Sequence, residues 1–147
     1  VATSDAPIND PLVNHVTALG YHVYRGSEHD VLDRFYQAAK EAGADIIVRI
    51  TGDCPLIDPG VVDDVISGFI SADVDFATNA TPPSYPDGLD AEVFSFNALS
   101  QAWHNAKQSH EREHVTPYLE ESGLFKLLSL KNSQKMQNKQ SGTSKTI

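Results

Sequence analysis

The chain is poor in cysteine, in basic residues and in long apolar runs, and each shortage excludes something. Its single cysteine, Cys54, rules out an internal disulfide and suits a reducing compartment, so a cytoplasmic location is expected. No apolar run approaches the roughly 20 residues that cross a bilayer, so no membrane-spanning segment is expected. Lys and Arg number 11 against 20 Asp and Glu, for a net charge of −9. Four of those cations (Lys131, Lys135, Lys139, Lys145) lie after residue 130. The first 130 residues therefore hold 7 basic and 20 acidic groups, a balance of −13. Such a surface repels a phosphate backbone and argues against nucleic-acid binding. A nucleotide stays admissible, because a divalent cation reverses the local sign. An initial Met is also lacking: Val1-Ala2-Thr3-Ser4 reads as the end of a strand already under way, with the true start upstream.

What is present fits an ordinary globular domain. The 147 residues are 40% apolar and 21% charged, enough for one domain with a hydrophobic core. Asp10 is placed to cap a helix with Pro11 in its first turn and Leu12, Val13, Val16 and Leu19 on one face, ending at Gly20. Tyr21 to Arg25 reads as a short strand. Ser27 and Asp30 have capping-box spacing before a helix carrying Val31, Leu32, Phe35, Ala38, Ala39 and Ala42. Asp45 to Ile50 is the clearest strand, and its β-branched run predicts burial on both faces. Asp58 then caps a helix opened by Pro59, with Val61, Val62, Val65, Ile66, Phe69 and Ile70 toward a core. Strands follow at 75–78 and 91–96, separated by a turn-rich loop at 79–89. Asn97 is read as the cap of a helix carrying Ala98, Leu99, Ala102, Trp103 and Ala106, Pro117 must start or kink a helix within 110–121, and 125–130 is a last strand. Strand–helix alternation predicts an α/β sandwich with a mostly parallel sheet. Residues 1–130 form the expected domain; 131–147 read as a polar, disordered tail.

Chemistry concentrates where such sheets place it, just beyond a strand's carboxyl end. In Arg49-Ile50-Thr51-Gly52-Asp53-Cys54-Pro55-Leu56-Ile57-Asp58-Pro59, Gly52 lets the backbone turn and Asp53 offers a hard oxygen ligand suited to Mg²⁺. Asp58 reads as a plain helix cap, whereas Asp53 divides evenly between turn cap and metal ligand.

Four segments in order carry a resemblance. They are Arg25–Phe35, Arg49–Pro59, Tyr85–Phe94 (Tyr-Pro-Asp-Gly-Leu-Asp-Ala-Glu-Val-Phe) and Glu111–Tyr118 (Glu-Arg-Glu-His-Val-Thr-Pro-Tyr). Over residues 1 to about 130 the chain resembles the spore-coat polysaccharide biosynthesis protein F branch of the cytidylyltransferases. Its relatives activate 3-deoxy-manno-octulosonate and N-acetylneuraminate. The resemblance implies a three-layer Rossmann-like sandwich of the nucleotide-diphospho-sugar transferase type, truncated here. It implies attack of a sugar hydroxyl on the α-phosphate of CTP, with Mg²⁺ as cofactor and CTP and an acidic or amino sugar as partners. A homodimer is left open. By family position Asp53 is the metal and catalytic aspartate, with Arg49 beside it. Arg25, Gly26, Ser27, Asp30 and Gly52 would join Asp53 at the nucleotide, and Tyr85, Gly88, Asp90, Glu92, Glu111, Arg112, His114 and Tyr118 would line the sugar side. The family's opening Gln-Ala-Arg and Arg-Leu-Pro-Gly-Lys loop and its late Thr-Val-Asp metal motif have no counterpart, so this chain by itself is expected to be inactive.

Three rival readings weigh less. His110-Glu111-Arg112-Glu113-His114 fits the zinc-protease spacing, but no Asp, Glu, His or Cys follows Glu121 to complete a site, and the helix reads as solvated. A noncatalytic nucleotide- or partner-binding remnant is the second, favoured by the missing loop. A glycosyltransferase on the same fold is the third, and it lacks an Asp-x-Asp pair. Trp103, His15, His22, His29 and His104 read as core or surface residues, and Cys54 as a small buried thiol.

Overall fold

Helix starts show how local chemistry builds this chain, of which a computed structural model describes residues 1–132. Most of the expected disordered tail lies outside the described residues. A 3-10 turn at Pro7–Asn9 leads into α1 (Asp10–Ala18). Pro11 sits in the first turn, where its missing N–H costs no hydrogen bond. Asp10 is not the cap: Asn9 takes that position, its amide donates to Ser4 Oγ at 2.6 Å, and Asp10 pairs with Arg25 at 2.8 Å. The cap of α2 (Val31–Glu41) is Asp30, which accepts from the Asp33 N–H at 2.9 Å, while Ser27 Oγ accepts from Asp30 one turn earlier. α3 (Pro59–Ala72) is capped by Asp58 as expected. α4 (Phe96–Asn105) starts one residue before Asn97, because Ser95 Oγ accepts from the Ala98 N–H at 3.1 Å. α5 (Ser109–His114) and α6 (Pro117–Glu121) are separate helices. Between them Val115 (φ 74°, ψ −56°) centres a tight turn in which the Thr116 N–H reaches His114 O at 2.9 Å. Pro117 opens the second.

The chain forms two units. Unit 1 takes in Val1–Ile47 and Ser95–Phe125, and unit 2 takes in Val48–Phe94 and the segment from Lys126 on. In unit 1, β1 (Ala2–Ser4) pairs parallel with β2 (Tyr24–Gly26). Helix α2 buries Leu32, Tyr36 and Ala39, and Tyr36 stacks on Trp103 of α4 at 4.3 Å between ring centroids. Trp103 is therefore packed, as its helical spacing suggested. The second sheet is four-stranded, of order β3-β5-β4-β6, built from β3 (Ile46–Arg49), β4 (Phe76–Thr78), β5 (Glu92–Ser95) and β6 (Leu127–Ser129). β4 runs parallel to β6 and antiparallel to β5, so the α/β class holds with an antiparallel pair inside the sheet. Val65 and Phe69 of α3 pack on Ala77, Ala91 and Val93, with Leu128 and Leu130 at the margin. Ala77 and Val93 are ladder partners, which is why both face the same helix.

The β3 expectation needs correction. Its residues alternate in burial rather than being covered twice: Ile46, Val48 and Ile50 are 45%, 38% and 39% exposed. β3 is an edge strand among the described residues. A β-branched run reports strand propensity, whereas two-sided burial also needs a neighbour on each face.

Candidate functional site

The anticipated site residues divide between the units. In unit 2 the chain leaves β3 and turns at once, the Cys54 N–H donating to Thr51 O at 3.1 Å and the Ile57 N–H to Cys54 O at 3.2 Å. The Thr51 hydroxyl donates to Asp53 Oδ1, and the Cys54 thiol approaches the same oxygen at 3.9 Å. The Thr51 bond, then the local backbone and to a lesser degree Arg49, hold the Asp53 carboxyl below the usual carboxylate range. Asp53 is therefore an exposed, ionised carboxylate on a braced turn, while Asp58 has its Oδ1 occupied by the Gly60 and Val61 N–H groups at 2.7 and 3.4 Å. Of the two acids in this motif, only Asp58 is occupied as a helix cap. Gly52 has no left-handed φ and a Cβ there would meet nothing within 4 Å, so the turn does not itself require glycine. Cys54 is buried, as expected.

Arg49, at the end of β3, forms an ion pair with Glu92 of β5, and their side chains are only 15% and 13% exposed. The anticipated catalytic arginine and sugar-side glutamate are thus brought together and neutralise each other. Tyr85 is half-buried and Asp90 exposed on the loop that precedes Glu92. Gly88 turns that loop at φ +85°, a conformation side chains rarely adopt.

The unit 1 residues form a network of their own. Arg25 staples the chain after β1, donating to Asp5 O and Ala6 O at 3.1 Å each and pairing with Asp10. A Cβ on Gly26 would stand 3.0 Å from the Tyr24 ring and 3.3 Å from Arg34 Cγ. The Arg34 guanidinium, its pKa lowered by burial with Glu28 opposing, donates to Ser27 O at 2.7 Å. Asp30 receives a forked Arg112 guanidinium, with Nε at 3.1 Å from both oxygens and Nη2 at 2.6 Å from Oδ2. Arg112 also holds Trp103 O at 2.7 Å, and the Trp103 indole donates to Asp33 at 2.8 Å.

Glu111, expected on a solvated helix, is 8% exposed, and its Oε2 accepts from the Lys107 and Gln108 N–H groups at 2.7 and 2.8 Å. The Glu of the zinc-like pattern is thus a helix cap, and His110 lies 3.4 Å from Glu121. His114 is exposed, and Tyr118 is half-buried, edge-on to Phe125 at 6.2 Å. Among the described residues no group of three or more His, Cys, Asp or Glu could enclose a metal. The donor chemistry of Asp53 still fits Mg²⁺, which takes one or two carboxylates and completes its shell with phosphates and water. Thr51 was missed by sequence reasoning, because its hydroxyl meets the Asp53 side chain rather than the backbone, a contact that turn rules do not read.

A CMP:2-keto-3-deoxy-manno-octonic acid synthetase, solved with CTP, superposes with TM-score 0.61 at 15% identity, covering 95% of this chain and 78% of its own; at that identity it shows the Rossmann-like fold alone. A cytidylyltransferase from Leptospira borgpetersenii superposes with TM-score 0.83 at 34% identity, covering 88% of this chain and 56% of its own. An uncharacterised protein of Methanocaldococcus jannaschii is 44% identical over 131 residues, 88% of this chain and 53% of that protein. The spore coat polysaccharide biosynthesis protein SpsF of Bacillus subtilis is 35% identical over 122 residues, 81% of this chain and 49% of that protein. The chain thus spans about half the length of the curated relatives it matches. No described helix is long and apolar enough to cross a membrane. The cytidylyltransferase family model matches residues 1–143, reaching into the lysine-bearing tail, and the chain belongs to that family.

Proposed function

We propose that this protein takes part in CTP-dependent nucleotidyl transfer, moving CMP to an acidic or amino sugar used in surface polysaccharide. The family match over residues 1–143 carries the reading. The likeness to SpsF supports the polysaccharide destination, and the synthetase solved with CTP supports the nucleotide. In this reaction a sugar hydroxyl attacks the α-phosphate and pyrophosphate leaves, so the protein's work is positioning and charge stabilisation. Asp53 stands ionised and exposed on its braced turn, ready to bind a cation. Mg²⁺ held there would supply neutralisation of phosphate charge. Arg49 and Glu92, mutually paired, hold the end of β3 against β5 and thereby fix where the Asp53 turn begins. The lone buried Cys54 favours a reducing, cytoplasmic setting.

The test is CTP binding by calorimetry with and without Mg²⁺, followed by pyrophosphate release with a panel of acidic sugars from the complete reading frame. Binding that Mg²⁺ strengthens, and release that depends on one sugar, are expected. Equal affinity for ATP and CTP, with no release from any sugar, would remove the proposal.

A further inference from the structure

Asn79 carries no charge and matches no motif, yet it is 0% exposed and both polar atoms of its side chain are hydrogen-bonded. It follows β4 directly. Its amide nitrogen donates to Leu89 O at 2.7 Å, and its amide oxygen accepts from the Ala91 N–H at 2.8 Å. Its own backbone N–H donates to Ala91 O at 3.4 Å. These partners lie 10 and 12 residues further along the chain, so one planar amide closes the base of the whole 80–90 loop. A primary amide presents a donor and an acceptor on one rigid group. A carboxylate would leave the Leu89 carbonyl facing an acceptor, and a hydroxyl is too short to serve both partners.

The outer side of the loop is fastened separately. The Ser129 hydroxyl donates to Thr81 O, the Leu130 N–H donates to Thr78 O at 2.8 Å, and the Asn132 N–H donates to Ser84 Oγ at 3.0 Å. Between these anchors lie Tyr85, Gly88 and Asp90. Immediately beyond the clamp stands Glu92, whose carboxylate meets Arg49. Ala91, held by the Asn79 amide oxygen, is thus the point at which the loop rejoins β5.

We infer that Asn79 is a positioning residue for the sugar-acceptor side of the site, holding loop 80–90 and Glu92 in one arrangement. The inference rests on the proposed nucleotidyl transfer and on reading residues 85–92 as acceptor-facing. Asn79 acts through Leu89 and Ala91, not by touching substrate.

Asn79→Asp keeps the acceptor for Ala91 and removes the donor to Leu89. Amide hydrogen exchange on this chain should quicken at least about tenfold within residues 80–90, while Phe76, Ala77 and Val93 stay within about twofold. In the complete protein, KM for the sugar should rise at least about tenfold, with KM for CTP within about twofold. The probes are 2-keto-3-deoxy-manno-octonic acid and N-acetylneuraminate. Should a buried charge prevent folding, Asn79→Ser carries both readouts, since its hydroxyl retains one bond and not the second. Unchanged loop exchange overturns the inference, as does an equal rise in both KM values or uniform loosening of loop and ladder. Absence of turnover in the unaltered protein sinks the nucleotidyl-transfer reading instead, and the exchange comparison still decides the clamp.

Discussion

At the scale of single residues, Asp53 and Asp58 form the sharpest contrast in the molecule. Both are acids that follow β3 within one short loop, but only Asp58 has its oxygen occupied by helix N–H groups. In the complete protein, Asp53→Asn should lower kcat at least about a hundredfold, or roughly 2.7 kcal/mol. Asp58→Asn should leave kcat within a few-fold, because Asn caps a helix as well as Asp. The measurement is kcat for both variants across a Mg²⁺ titration, and equal damage would show that the wrong carboxylate was chosen. Thr51 gives a second prediction. Its hydroxyl is the largest cause of the depressed Asp53 pKa, so Thr51→Val should move that titration back up toward the ordinary carboxylate value. Carboxyl ¹³C NMR of the metal-free chain reads it directly. The sign follows from linkage: a depressed folded pKa stabilises the fold above the unfolded pKa, and that contribution fades as pH falls through the folded value. Thr51→Val removes it, so the variant should be less sensitive to acid.

At the scale of elements, the brace between α2 and α5 is the feature that carries a measurable energy. Arg112 forks onto Asp30, the residue that also caps α2. Arg112→Lys keeps the charge and loses the planar fork. We expect it to lower stability by about 1–2 kcal/mol, the range for charge-assisted bonds that are partly solvated. Urea denaturation with an unchanged slope checks it, and an unshifted midpoint would mean the pair contributes nothing. This network also shows what sequence could and could not say at this scale. The existence of α2 and its stop at Gly43 followed from spacing and glycine chemistry. The identity of the capping residue did not, because Ser27 and Asp30 both offer suitable oxygens and only the chain's path selects one. Likewise Pro117 marked an interruption, but the turn at Val115 was invisible, since nothing about valine announces a positive φ.

At the scale of the whole molecule, charge makes the simplest prediction. With a net charge of −9, the chain should not bind double-stranded DNA at physiological salt. Fluorescence anisotropy should show no association tighter than about 10⁻⁴ M, the weak end of nonspecific binding; a micromolar Kd would contradict the charge argument. Class and motif order were legible in the sequence because they depend on near neighbours. Helical and strand periodicity, proline and glycine punctuation, and an acid placed just past a strand are all local properties, and they pointed to an α/β sandwich and to Asp53, while the cytidylyltransferase family followed from the resemblance of four ordered segments. Tertiary structure alone decided the rest, because burial and pairing depend on residues far apart in the chain. It left one face of β3 exposed, joined Arg49 to Glu92 and Arg112 to Asp30, turned Glu111 from a solvated group into a buried cap, and gave Asn79 two partners across a loop. A hydrogen bond between residues tens of positions apart has no periodicity to betray it, so only the folded path of the chain could reveal which polar groups are occupied and which remain open for chemistry.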